Sequence, residues 1–131
     1  QVLVLGSEAD KTIADEIESQ TSEKTENTFV NLCGLTQLQD AIDLLATADV
    51  VISNDSGLMH IAAALQKPLI AIYGPTSPKF TPPLSANAQI MQKEVDCGPC
   101  FQRECPEKHH KCMQRITSEN VLNRIVLVKR H

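Results

Sequence analysis

The densest chemistry in the sequence is the run Asn54-Asp55-Ser56-Gly57 with His60 three residues behind it. It follows the apolar stretch Val50-Val51-Ile52 and precedes a helical stripe of Leu58, Ile61, Ala62 and Leu65. Ser56 is therefore expected at a helix start, where unpaired backbone N–H groups and the helix dipole attract anions. Gly57 removes a side chain, so that a phosphate can approach the backbone. His60 lies one turn into the helix, and helical side chains lean toward the N-terminus, so it reaches the same region. A carboxylate at Asp55 repels phosphate and suits the acceptance of hydrogen bonds from sugar hydroxyls. The bland alternative, in which Asp55 or Ser56 only caps the helix and His60 is a surface residue, stays open on these residues alone.

Two other segments carry candidate chemistry. Glu8 follows Gly6-Ser7 and is either a first-turn glutamate favoured by the helix dipole or a group for ribose hydroxyls at a strand end. Cys97-Gly98-Pro99-Cys100 is followed by Cys105 and Cys112, with His109 and His110 between them. The first pair has zinc-knuckle spacing, and four thiolates would complete a tetrahedral site, but the later gaps are irregular. A structural zinc, reduced unligated thiols, and disulfide or redox chemistry all remain open for this cluster. Cys33 stands apart and reads as a small strand-end hydrophobe. Neither G-x-G-x-x-G nor a Walker A sequence is present, so dinucleotide and P-loop chemistry are not indicated.

The elements that must position these residues are legible from periodicity. Residues 1–6 form an apolar strand run, expected to be covered on both faces, and residues 7–20 a helix with Ala9, Ile13 and Ile17 on one side. A polar stretch at 21–27 reads as a loop. Residues 28–32 give a second strand, and Thr36 with Gln39 reads as a capping box opening a helix with Leu38, Ala41, Ile42 and Leu45 on its apolar face. Strands follow at 49–53 and 69–73, with Pro68 stopping the intervening helix. Gln89-Ile90-Met91 suggests one more short strand, 96–112 a cysteine-rich loop, and 117–129 a final helix with Val121, Leu122, Ile125 and Val128 on its apolar side. Such β-α alternation predicts an α/β fold with a doubly wound parallel sheet, Rossmann-like, in a single partial domain over residues 1–131. Ligands of such sheets bind outside the carboxyl ends of the strands. Gly6-Ser7-Glu8, Asn54-Asp55-Ser56-Gly57 and Gly74-Pro75-Thr76 all meet that condition.

Composition narrows the function. The 131 residues carry 16 Asp+Glu against 12 Lys+Arg, a net charge of −4, which disfavours a nucleic-acid coat. No apolar run approaches the roughly 20 residues of a membrane span, and no signal peptide is visible, so a cytoplasmic location is expected. Aromatic residues are only 3%, so the core must be aliphatic. The chain opens in mid-strand without Met, and we expect it to be a piece of a longer protein.

Four stretches together resemble one family. Residues 31–38 (Asn-Leu-Cys-Gly-Leu-Thr-Gln-Leu), 53–65 (Ser-Asn-Asp-Ser-Gly-Leu-Met-His-Ile-Ala-Ala-Ala-Leu), 72–78 (Ile-Tyr-Gly-Pro-Thr-Ser-Pro) and 80–85 (Phe-Thr-Pro-Pro-Leu-Ser) are similar, in order, to the ADP-heptose–lipopolysaccharide heptosyltransferases. The resemblance implies the C-terminal, nucleotide-sugar-binding half of a GT-B glycosyltransferase. It implies that Asp55 holds heptose hydroxyls, that the Ser56 and Gly57 backbone holds the diphosphate with His60 nearby, and that Glu8 lies near the adenosine. It places the catalytic base, and a lysine and hydroxyl residues for the phosphates, in parts of the family not carried here, so no catalytic residue is expected in this chain. The implied reaction is an inverting transfer of L-glycero-D-manno-heptose from ADP-heptose to the lipopolysaccharide inner core, at the cytoplasmic face of the inner membrane of a Gram-negative bacterium. No metal or other cofactor is required for it; helix N–H groups would stabilise the ADP leaving group. The partners implied are ADP-heptose, a lipopolysaccharide acceptor bound through the missing domain, and peripheral membrane contact, with no nucleic acid. Two further readings compete: a stand-alone nucleotide-binding or zinc-stapled module without catalysis, and a different GT-B nucleotide-sugar enzyme such as an epimerase.

Overall fold

The computed structural model describes residues 1–21 and 28–128, and within them the chain falls into two compact units, Gln1–Asp43 and Leu44–His131. The expected loop at 21–27 and the side chain of Val128 lie outside the described residues, apart from Thr21.

In the first unit, β1 (Val2–Val4) pairs in parallel with β2 (Phe29–Asn31), Val2 opposite Phe29 and Val4 opposite Asn31. The helix between them begins as a single 3-10 turn, Glu8–Asp10, and continues as α1 (Lys11–Ser19). Its start is fixed by Asp10, whose carboxylate accepts from the Ser7 N–H at 2.8 Å and the Ser7 hydroxyl at 2.7 Å. These two bonds hold the Asp10 carboxyl below its ordinary pKa. The apolar stripe expected on this helix is not buried. Ala14 is the buried residue, while Ile13 and Ile17 are 61% and 49% exposed. Nor is β1 covered on both faces, since Val2 and Leu3 are also exposed. Two three-residue strands offer one helix too small a surface to cover a full stripe.

Helix α2 (Leu38–Thr47) starts one residue later than the Thr36–Gln39 pattern suggests. The Asp40 carboxylate accepts from the Gln37 N–H at 2.8 Å, so Asp40 makes the reach-back contact at this helix start, and Gln39 donates instead to Asp43. The shorter acidic side chain reaches back across one turn and carries the charge that a helix start favours. Ala41 and Leu45 are buried, whereas Leu38 is exposed.

The second unit holds a parallel sheet in the order β3 (Val51–Asn54), β4 (Leu69–Tyr73), β5 (Ala88–Gln92). Helix α3 (Gly57–Ala64) packs on β3 and β4, and α5 (Ser118–Val128) packs on β4. The central strand β4 is buried on both faces. Ile70 and Ile72 join Met91 against Ile116, Val121 and Ile125, while Tyr73 on the opposite parity meets Met59 of α3. Alternate side chains of a strand point to opposite faces, so helices cover both sides, as the doubly wound reading requires. Each fully buried aliphatic side chain here contributes about 1.5–3 kcal/mol. Leu122, expected on the apolar side of α5, is 60% exposed instead. Lys111–Gln114 form one further helical turn, α4, at the end of the segment read as a cysteine-rich loop.

Helix α3 ends in a Schellman motif: the Lys67 N–H donates to the Ala62 carbonyl and the Gln66 N–H to Ala63, with Gln66 at φ 55. Among the described residues no helix is long and apolar enough to cross a membrane.

Candidate functional site

The β3–α3 junction has the geometry that its sequence suggests. Val51–Asn54 is a strand because its β-branched residues pair with Leu69–Ile72 of β4. The chain then turns through Asp55, and Ser56 takes an extended conformation, φ −152 and ψ 170, as the N-cap of α3. The Ser56 hydroxyl does not cap the helix; it lies 3.3 Å from the Ser53 hydroxyl. The Met59 N–H of this turn bonds back to the Ser56 carbonyl at 3.2 Å, so the Gly57 and Leu58 N–H groups are the donors this end offers to an anion. Asp55 and Ser56 are half-buried, and Gly57 and His60 are exposed on the first turn.

Gly57 is informative because no contact among the described residues calls for glycine there. A Cβ there would meet no atom within 4 Å, and its φ is not in the left-handed region. The other glycines have internal reasons. Gly34 sits at φ +74 with the Glu8 backbone 3.0 Å from where its Cβ would lie, and a Cβ at Gly6 would lie 2.9 Å from an Asp10 oxygen.

The structure brings Asp55, Ser56, Gly57 and His60 together on one turn. Glu8 belongs to the first unit, where it packs over Gly34. At that first strand end the Ser7 N–H is already taken by Asp10, so the chain supplies its own anion there. The third strand end is likewise used internally. Pro75 accepts from the Phe101 N–H at 2.8 Å, Thr76 accepts from the Gln92 side chain at 2.9 Å, and a Cβ on Gly74 would collide with Met113.

Two residues at the β3–α3 site escape the sequence reading. The Thr81 hydroxyl donates to Asp55 Oδ2 at 2.9 Å, and the buried Tyr73 hydroxyl donates to the Thr81 carbonyl. Burial, and next the nearby Asp55 carboxylate, push the Tyr73 pKa up, opposed by its bond to Thr81. Periodicity gives no signal for a contact across 26 positions. The one available hint is that Tyr73 is the only tyrosine, placed in an otherwise aliphatic strand.

Cys97, Cys100, Cys105 and Cys112 line one cavity of about 180 Å³ together with His109 and His110, and all four are free thiols. As placed they do not form a metal centre. Among the described residues no three His, Cys, Asp or Glu side chains converge to hold an ion. His109 Nδ1 accepts from the Lys111 N–H at 3.1 Å, which leaves the ring proton on Nε2, 3.7 Å from the Cys97 sulfur. A ligating histidine has the opposite arrangement, with its second nitrogen donating. The Cys105 thiol is held below its ordinary pKa, first by the His110 backbone N–H and then by those of Glu107, His109 and Lys108, against the opposing effect of burial. Cys33 is buried, which pushes its thiol up, helped by Asp10 and Asp15.

Comparison with known proteins decides the family. Residues 1–111 match glycosyltransferase family 9 (heptosyltransferase). The chain belongs to this family. It is 50% identical over 125 residues to lipooligosaccharide heptosyltransferase 2 of Haemophilus influenzae, covering 95% of this chain and 36% of that protein. Its identity to lipopolysaccharide heptosyltransferase 2 of Escherichia coli is 38%, with the same coverage. The solved structure of E. coli ADP-heptose lps heptosyltransferase II superposes with a TM-score of 0.85 at 37% identity, covering 99% of this chain and 36% of that one. A family 9 glycosyltransferase from Veillonella parvula superposes with a TM-score of 0.77 at 23% identity, which speaks for the Rossmann-like α/β fold alone. The chain thus spans about a third of the length of the curated family 9 relatives it matches.

Proposed function

We propose that this chain is the nucleotide-sugar-binding part of a family 9 heptosyltransferase of GT-B architecture. Its donor is ADP-heptose, and the intact protein passes the heptose to the inner core of lipopolysaccharide. The observation that carries the reading is the β3–α3 turn. A half-buried carboxylate stands beside a helix N-terminus whose first residue, Gly57, has no packing reason to be glycine. That pairing fits a ligand with both hydroxyls and a diphosphate. Asp55 accepts from sugar hydroxyls, the amides of the first α3 turn hold phosphate oxygens, and His60 stands close to them. Stabilising charge on departing ADP lowers the barrier without a metal, because the donors are fixed before reaction. The acceptor, peripheral membrane contact and a place at the cytoplasmic membrane face belong to the intact protein.

Calorimetry tests the donor assignment. ADP and ADP-heptose should bind, ADP-heptose the more tightly, and UDP and GDP should not. Equal binding of all three nucleotides would remove the assignment, and no binding of any would favour a module without donor recognition.

A further inference from the structure

The carboxylate of Asp55 is not free to rotate. The Thr81 hydroxyl donates to its Oδ2 at 2.9 Å, and the same hydroxyl lies 3.4 Å from the Ser77 carbonyl. A hydroxyl has one proton, and the nearer, charged acceptor takes it. Thr81 is itself anchored: its N–H donates to Ser77 at 3.3 Å, and its carbonyl receives the Tyr73 hydroxyl at 2.5 Å. Tyr73 is fully buried on β4 and also touches the Met59 sulfur at 3.4 Å. Two hydrogen bonds therefore connect the rigid core of the second unit to one oxygen of a carboxylate on the β3–α3 turn.

We infer that Thr81 is a positioning residue for recognition of the donor sugar: by engaging Oδ2 it fixes the Asp55 carboxylate with Oδ1 presented to the sugar hydroxyls. The inference rests on the reading that Asp55 binds the donor sugar, and it assigns selection of the sugar, as distinct from the nucleotide, to the β4–β5 connection. A hydrogen-bond acceptor held in one orientation loses no rotamer freedom when the ligand arrives. A loop fastened merely for stability would have no reason to affect the sugar more than the nucleotide.

The test measures ADP-heptose and ADP affinity in the intact protein by calorimetry for Thr81→Val, Thr81→Ser, Tyr73→Phe, Asp55→Ala and the Asp55→Ala/Thr81→Val pair. Thr81→Val should weaken ADP-heptose about fivefold and leave ADP unchanged, a selective loss of less than one decade in Kd. Thr81→Ser should retain binding, because the hydroxyl is kept. Tyr73→Phe, which leaves Thr81 intact and only unpins its backbone, should give a smaller loss of the same selectivity, and it serves if Thr81→Val fails to fold. In the Asp55→Ala background Thr81→Val should add nothing. If Asp55→Ala weakens ADP-heptose while Thr81→Val and Tyr73→Phe do not, positioning by Thr81 is overturned and the donor reading stands. An equal loss from Thr81→Val with or without Asp55 also overturns it. If Asp55→Ala itself has no effect, the sugar-binding reading beneath it falls.

Discussion

Gly57→Ala separates fold from function more sharply than any other single change in this chain. The added methyl group meets no protein atom within 4 Å, and the backbone there is not left-handed. Among the described residues no contact opposes it. Replacing glycine by alanine at a compatible position reduces the freedom of the unfolded chain and stabilises by about 0.4–1 kcal/mol. For a domain of this size that raises Tm by about 2–4 °C. The methyl group would stand at the first residue of α3, where the proposed donor site brings a diphosphate within hydrogen-bond distance of the amides. A shift of that contact should weaken ADP at least about tenfold, or ~1.4 kcal/mol. Gly34→Ala is the control with the opposite expectation. Its φ of +74 and the Glu8 backbone 3.0 Å from the new Cβ predict a loss of about 2–3 kcal/mol in stability, from left-handed strain and overpacking together. Thermal melts and ADP calorimetry on both variants decide the matter. Gly57→Ala with unchanged ADP affinity would refute the anion site at α3, however stable the protein became.

Asp55→Ala in the intact protein should lower heptose transfer at least about tenfold, ~1.4 kcal/mol in the barrier; unchanged kinetics in a folded variant would make Asp55 only a turn residue. Iodoacetamide titrated against pH should label Cys105 at lower pH than the buried Cys33, since the pKa of the first is lowered and that of the second raised, and the reverse order would contradict the amide contacts around Cys105. Elemental analysis should find the protein free of zinc with four reactive thiols between residues 97 and 112; one zinc per chain, lost with local loosening on chelation, would show that the ligands rearrange around an ion. Asp10 has a folded pKa below its ordinary 3.8, so its contribution to stability is present above that value and is lost as pH falls through the lowered one. The stability difference between wild type and Asp10→Asn should therefore shrink on acidification, and a difference that grows would reverse the sign of the Ser7–Asp10 contact.

Much of the fold is legible in the sequence because its signals are local. Strand β4 reads as a strand from Leu69 to Tyr73 since each residue is apolar, and a strand buried on both faces requires that. Pro68 marks its start and the glycine after Tyr73 its end. Which strands pair is not a local property. The alternation suggests a single sheet, whereas β1 and β2 pair in one unit and β3, β4 and β5 in the other. Periodicity also overstates burial. Ile13, Ile17, Leu38 and Leu122 fall at helical spacing yet stay largely exposed, because a stripe records which face a sequence offers and not how much surface is there to receive it. The capping signal at Thr36 failed by one residue for a similar reason: Asp40 is a better partner for a helix start than Gln39, and the N-cap moved to suit it.

The site divides along the same line. Asp55, Ser56, Gly57 and His60 are neighbours in sequence, so their type and order point to a turn suited to hydroxyls and an anion. What makes the turn more than a cap comes from elsewhere in the chain. Thr81 reaches Asp55 from 26 positions away, and Tyr73 ties Thr81 to the core. Conversely, the cysteine spacing suggests a shared ligand set, and the structure does gather those four thiols around one cavity. Proximity alone does not make them ligands. The Lys111 amide leaves the ring proton on His109 Nε2, which is turned toward the Cys97 sulfur, so this histidine is not set up as a ligand. The same test separates the three strand ends. At Ser7 and at Gly74-Pro75-Thr76 the chain meets its own donors, acceptors and packing needs, while at Gly57 it leaves an approach that no atom of the described residues fills, which suits a ligand's close contact with the backbone.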